Sequence, residues 1–390
     1  MSSERTNWVL IIAIWLGGLG AAAQYGKVSV VFQHMAEMYP DVGAAVGFTV
    51  SLVGFMGIIL GVVAGMYVPA IGYRRVLVWS IWLGAAMSAL QYLSMPFGLF
   101  LASRLFEGIS HLGVVVAAPT LIAQVSTNRT RGFAMSLWST FFGVAFALLA
   151  WFGIPLVAAY GVRALFAAHA IVMGLLALML MGALRQVPPL QRKPAPRLAD
   201  LPHLHLALYL SPFRAAPAAG WLFYTCSFVA ILTVFPPYIE ASVRSWVLGA
   251  MPLTSILVSM TLGVWLLRWM PAVSLVQSGF LICALMVIWL GLAPGDPMAC
   301  LAFASGMGLV QSASFAAIPQ LNDTAEKRAE ASGAMAQAGN LGNTIGTPLM
   351  VWVLAIAGYG GLMVMLAALF LTGAFVHAVL RRRRASAQSV

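Results

Sequence analysis

The stretch GISHLGVVVAAP at residues 108–119 has a counterpart, GLVQSASFAAIP, at residues 308–319. Each runs eleven steps from a glycine to a proline, Gly108 to Pro119 and Gly308 to Pro319, and each contains an alanine pair, Ala117-Ala118 or Ala316-Ala317. The residues just downstream recur as well. A polar run, Ser126 to Arg131 or Asn322 to Arg328, leads to Gly132-Phe-Ala-Met135 or Gly333-Ala-Met335. Both stretches stand where a hydrophobic segment meets a polar loop. A pattern repeated at about 200 residues, half the length of the chain, predicts two homologous halves.

Composition places those halves in a bilayer. Hydrophobic residues make up 62% of the chain and charged residues 8%, with a mean hydropathy of +0.94. A soluble domain carries about 45–50% apolar and about 25% charged residues, so this chain cannot cover itself with polar surface. A helix needs about 20 apolar residues to cross the hydrocarbon core. Windows of that kind fall near 8–30, 43–67, 76–94, 97–122, 133–157, 161–184, 217–239, 246–267, 272–292, 297–320, 333–355 and 359–380. Membrane barrels would instead show short alternating segments. The expected fold is an all-α polytopic membrane protein with 12 transmembrane helices in two pseudo-symmetric six-helix bundles.

Basic residues set the orientation. With a cytoplasmic N-terminus, 17 of the 21 Lys and Arg fall on the inner side, leaving Lys27, Arg104, Arg163 and Arg244 elsewhere. Loop lysines and arginines accumulate in the cytoplasm, so both termini are expected there, in a multi-pass protein of the cytoplasmic (inner) membrane. The same bias accounts for the net charge of +11. Dispersed loop arginines form no continuous patch, which argues against nucleic-acid binding. The first apolar stretch, from Trp8, is too long for a signal-peptide core and reads as a retained span. Cys226, Cys283 and Cys300 have no metal-ligand spacing and read as packing residues.

Residues 185–216 hold Pro188, Pro189, Pro194, Pro196, Pro202 and Pro212 with five basic residues, the composition of an extended cytoplasmic linker. It would join an N-terminal bundle, 1–184, to a C-terminal bundle with a basic cytoplasmic tail, 217–390. Glycine series in the first, second and eleventh windows, among them Gly57, Gly61 and Gly65, and Gly339, Gly342 and Gly346, suit close helix packing.

In this 6+6 plan the chain resembles the major facilitator superfamily over nearly its full length. Gly65-Met-Tyr-Val-Pro69-Ala-Ile-Gly72-Tyr-Arg74-Arg75, read as the loop after the second span, looks like that superfamily's loop motif. Gly65, Gly72, Arg74 and Arg75 match, whereas Pro69 and Ala70 stand where the motif has its aspartate and first arginine. Arg104-Leu-Phe-Glu-Gly108 resembles the Arg-x-x-x-Gly motif of the fourth span. The exporter pattern of the fifth span has only Gly143 and Gly153-Ile-Pro155 as its nearest match. The resemblance implies alternating access, with a cavity lined chiefly by the first, fourth, seventh and tenth spans.

An ionisable group in hydrocarbon costs at least ~2.5 kcal/mol on insertion scales and asks for an explanation. Arg104, Glu107 and His111 recur at i, i+3 and i+7, which puts them on one helix face. Glu107 lies about 15 Å from a start near Phe97, roughly the middle of a ~30 Å core. A self-neutralising Arg104–Glu107 pair bonded to the first span's backbone is the competing account. Lys27 follows Gln24, Tyr25 and Gly26 and lies about 28 Å past Trp8, so it either lines a site or snorkels to the outer interface.

The second half offers neutral groups: Tyr224, Thr225 and Ser227; Gln311, Ser312 and Ser314; and Gln337, Asn340 and Thr344 at helical spacing. The candidate substrate contacts are Gln24, Tyr25, Lys27, Arg104, Tyr224, Gln311, Gln337 and Asn340, with Glu107 or His111 carrying a proton. Such a set suits a small organic anion. Export of amphiphilic drugs or metabolites is the alternative, favoured by 11% aromatic residues and 21 methionines. An intramembrane enzyme would need clustered nucleophiles or metal ligands, and His203-Leu-His205 makes a poor metal site. A channel would need a ring of like segments. The expected partners are the lipid bilayer, a small-molecule substrate and protons as coupling ion, for a monomer with no cofactor.

Overall fold

The computed structural model describes residues 5–127, 129–188, 206, 209–323 and 325–388. Of the expected linker, 189–205 and 207–208 lie outside the described residues, the His203–His205 pair included. The chain divides into two compact units, 1–196 and 197–390.

In the first unit, α1 (Trp8–Ser29) starts where the Asn7 side chain accepts from the Leu10 N–H at 3.0 Å. That bond satisfies one of the free donors of a helix start. A short helix at Phe32–Met38 and a turn at Pro40–Gly47 lead to α2 (Phe48–Ile71). The segment 65–71 was expected to begin a loop; it continues α2 instead, with Pro69 inside the helix. The break is confined to Gly72, whose φ of 108° is open to glycine and strained for other residues. Next come α3 (Tyr73–Gln91) and α4 (Phe97–Gln124), then α5 (Arg131–Ser139) and α6 (Phe141–Tyr160). One π turn, Leu149–Gly153, interrupts α6 just before Pro155, which has no N–H to continue the ladder. Gly161, at φ 78°, turns the chain into α7 (Val162–Ala183).

Here α1 packs against α4, α6 and α7, while α3 lies between α4 and α7. Ile11, Ile14, Leu77, Ile81, Leu121, Met173 and Leu180 fill the space between them. Apolar side chains such as Val9, Phe152 and Leu175 face outward, as lipid contact requires.

The second unit holds α8 (Ala215–Val234), α9 (Arg244–Leu266), α10 (Ala272–Leu292), α11 (Pro297–Leu321) and α12 (Ala325–Gln388). Asp296 caps α11 by accepting from the Ala299 N–H at 2.8 Å, and Pro297 takes the first helical position. The eleventh and twelfth windows merge in α12, a run of 64 residues bent at Gly358 (φ 62°, ψ −167°). A β-carbon on Gly342 would meet the Leu222 carbonyl oxygen at 2.6 Å, so α12 lies directly on the α8 backbone. Gly61 in α2 has nothing within 4 Å of the same position, so close packing does not explain it.

The internal repeat has a structural counterpart. A β-carbon on Gly108 would lie 2.5 Å from the Val53 carbonyl oxygen of α2, and one on Gly308 would lie 2.4 Å from that of Ser255 in α9. In each unit the fourth long apolar window leans its glycine against the second.

Among the described residues, ten helices are long and apolar enough to cross a membrane, against the twelve expected. The difference has two causes. Arg74, Arg75 and several polar residues dilute α3, and α12 spans two windows without an intervening loop.

Candidate functional site

Lys27 is fully buried and does not reach an interface. Its Nζ donates to Glu107 Oε1 at 2.5 Å and to Ser88 Oγ at 2.6 Å, and lies 5.4 Å from the centre of the Phe166 ring. The other carboxylate oxygen of Glu107 accepts from Arg104 and, at 2.8 Å, from Gln91 Nε2. One carboxylate therefore serves two cations, and all three side chains are 0% exposed. Ionised, the trio carries one net positive charge in surroundings of low dielectric.

Each partner is itself held. Arg104 Nη2 donates to the Gln24 carbonyl of α1 at 2.6 Å. Gln91 also donates to Ser103 Oγ at 2.9 Å, and Ser103 donates to the Phe100 carbonyl at 2.6 Å. His169 Nε2 lies 2.9 Å from the Gly20 carbonyl, which can only accept, so the proton of the neutral ring sits on Nε2. His169 Nδ1 is then an acceptor, 2.7 Å from Ser88 Oγ and 3.5 Å from Lys27 Nζ. Helices α1, α3, α4 and α7 thus meet in one hydrogen-bonded cluster.

The competing account of Arg104 fits part of this geometry, since the arginine does bond the first span's backbone. It omits Lys27, the second cation on the same carboxylate. His111 stands apart from the cluster. Its Nδ1 lies 3.0 Å from the Ala21 carbonyl, and its ring meets Tyr25 edge-on at 5.2 Å between centroids. Gln24 Nε2 donates to Ser110 Oγ at 2.8 Å, which donates in turn to the Ser80 carbonyl at 2.6 Å. Four buried polar atoms of the region have no partner: Gln24 Oε1, Tyr25 Oη, Gln91 Oε1 and Arg104 Nε. Two of them, Tyr25 Oη and Arg104 Nε, are donors.

In the second unit Tyr224 Oη and Ser255 Oγ both donate to Gln311 Oε1 at 3.4 Å. Tyr224 is stacked between Trp221 and Phe228, at 4.5 and 5.4 Å, and Phe315 meets Trp221 edge-on at 4.9 Å. Gln337 and Asn340 do not join this group. Gln337 accepts from Tyr209 at 2.8 Å, and Asn340 bonds the Ala336 carbonyl of its own helix. At the end of the first unit, Gly72 separates α2 from α3, and Arg74 Nη1 donates to the Val187 carbonyl at 2.6 Å.

Ser88, Gln91 and His169 were not foreseen as site residues. A signal existed for two of them, because Ser88 and Gln91 stand at i, i+3 on an otherwise apolar stretch. Nothing local marks His169.

These features define a multi-pass membrane protein, all-helical among its described residues, with a charged cluster sealed inside an apolar bundle. The chain belongs to the major facilitator superfamily, whose family model matches residues 10–325. It is therefore a transporter and not an enzyme, with a fold built for secondary transport of a solute. Two solved structures of a bacterial homolog of the human lysosomal transporter Spinster resemble it, each at 14% identity over 98% of both chains. The inward-facing unoccupied form gives a TM-score of 0.80 and the inward-facing occupied form 0.73. No curated protein matches the chain.

Proposed function

We propose that the chain couples proton movement to transport of a small organic anion, by alternating access of its two six-helix halves. One observation carries the reading: Glu107 is shared by Lys27 and Arg104. A proton arriving on Glu107 weakens both ion pairs and leaves two cations without a counter-charge. An anion restores the balance, so each of the two ligands favours the other. The arginine fork suits a carboxylate, sulfonate or phosphate, and the free donors Arg104 Nε and Tyr25 Oη supply further contacts. Glu107 or His111 is the proposed carrier: Glu107 touches both cations, and His111, with its Nδ1–H on the Ala21 carbonyl, keeps Nε2 as its basic nitrogen. Gln24, Lys27, Tyr224, Gln311, Gln337 and Asn340 remain proposed substrate contacts.

The proposed topology keeps twelve spans by counting α3 and both arms of α12. Both termini and residues 185–216 are cytoplasmic, in a monomer of the cytoplasmic membrane. Export of amphiphilic compounds remains a second reading, favoured by the aromatic ladder of Trp221, Tyr224, Phe228 and Phe315.

Uptake into vesicles with a set pH gradient tests the proposal. Proton-driven anion uptake should fall sharply in both Arg104→Lys and Glu107→Gln, because lysine lacks the planar fork and glutamine cannot carry the proton. Anion counterflow without a gradient should survive in Glu107→Gln if that variant folds. Parental pH-driven rates in both variants would make the cluster structural and remove the reading's main support.

A further inference from the structure

We propose that the first unit carries a binding site for the phosphate headgroup of an anionic phospholipid, where the ends of α2, α4 and α7 meet the start of α3. A cavity of about 540 Å³ opens there, and Arg74, Arg75 and Arg185 line it. Among the described residues of this unit the acids are Glu37, Asp41 and Glu107, and none of them lines the cavity. The motif position that would supply an aspartate nearby is Pro69. The three arginines therefore share a cavity that provides no carboxylate. The start of α3 adds to the positive field, because Gly72 brings no side chain to cap it.

The other rim is apolar and outward-facing. Trp79 is 64% exposed and Met181 39%, over the half-buried Val78 and the buried Leu184. Acyl chains can follow that surface while the headgroup sits among the guanidinium groups, and tryptophan favours this depth of the interface. A free phosphate ester would share the charge chemistry but leave the apolar rim bare. The neighbouring linker is a poor occupant, since 189–205 hold Arg192, Lys193 and Arg197 against a single acid, Asp200.

The test measures lipid retained on the purified full chain by native mass spectrometry. The protein is taken from phosphatidylcholine vesicles with and without phosphatidylglycerol. Phosphatidylglycerol should be retained preferentially, and the double variant Arg75→Gln/Arg185→Gln should lower that retention by about thirtyfold. Both side chains are exposed, so the fold should persist, which an unchanged melting temperature verifies. Removing two charges from the tail, Arg381→Gln/Arg382→Gln, should leave retention unchanged. Trp79→Ala should weaken lipid retention but leave any binding of glycerol phosphate as it was. The proposal fails if phosphatidylglycerol is not preferred, or if the tail variant loses as much lipid as the cavity variant. It also fails if glycerol phosphate displaces the lipid completely at matched concentration, which would make this a free-anion site. A rise in retention in Asp200→Asn, with no loss in Arg75→Gln/Arg185→Gln, would assign the cavity to the linker and equally overturn the proposal.

Discussion

At the scale of single residues, the asymmetry of the buried trio makes a stability prediction. Glu107→Gln leaves two buried cations and no counter-charge, which should cost about 3–5 kcal/mol. Lys27→Met leaves Arg104 and Glu107 still paired, so its cost should be smaller, about 1–2 kcal/mol from lost hydrogen bonds. Thermal melts of the two variants in one detergent should rank them in that order. A greater loss from Lys27→Met would mean that Arg104 and Glu107 do not balance each other. The sequence exposed the Arg104–Glu107 pair because both lie on one helix at a spacing that brings side chains together. It left Lys27 open because distance along a helix gives depth only once the membrane boundary is known. The Ser88 hydroxyl and the His169 imidazole that receive its ammonium come from distant segments. Contacts across helices leave no local spacing to read.

Among the helices, glycines separate tight packing from open space. Gly108→Ala and Gly308→Ala would drive a methyl group into the carbonyls of Val53 and Ser255. Backbone cannot rotate aside as a side chain can, so each should cost about 1–3 kcal/mol. Gly61→Ala meets nothing and should be neutral or gain up to about 1 kcal/mol from helix propensity. Melting temperatures of the three variants check this, and similar losses at Gly61 and Gly108 would refute it. Apolar length placed the helices well: the ninth window, 272–292, coincides with α10. The interior of the helices was less legible. The π turn before Pro155, the passage of α2 through Pro69 and the fusion of two windows in α12 depend on how neighbouring helices support irregular backbone. Composition is silent on that support.

For the whole molecule, topology comes first. A cysteine placed at Asp200 should react with a membrane-impermeant thiol reagent only after the membrane is opened. Reaction in intact cells would invert the proposed orientation. Cys226, Cys283 and Cys300 are buried, so the background should be low. The spacing of the repeat at residues 108 and 308 agrees with the division into two compact units, 1–196 and 197–390. Movement is a separate matter and calls for distances. If the halves rock as rigid bodies, spin labels at Gly98→Cys and Tyr160→Cys, both exposed in the first unit, should keep one separation under all conditions. Labels at Gly98→Cys and Met298→Cys, one in each unit, should change their separation between low and high pH. In the Glu107→Gln background that pair should hold a single separation at both pH values, because the neutral side chain imitates the protonated state. A pH response unchanged by Glu107→Gln would move proton coupling to another residue, and a response within the first unit would exclude rigid-body motion. Coupling through Glu107 thus requires a pH-dependent distance across the units that is lost when the carboxylate is removed.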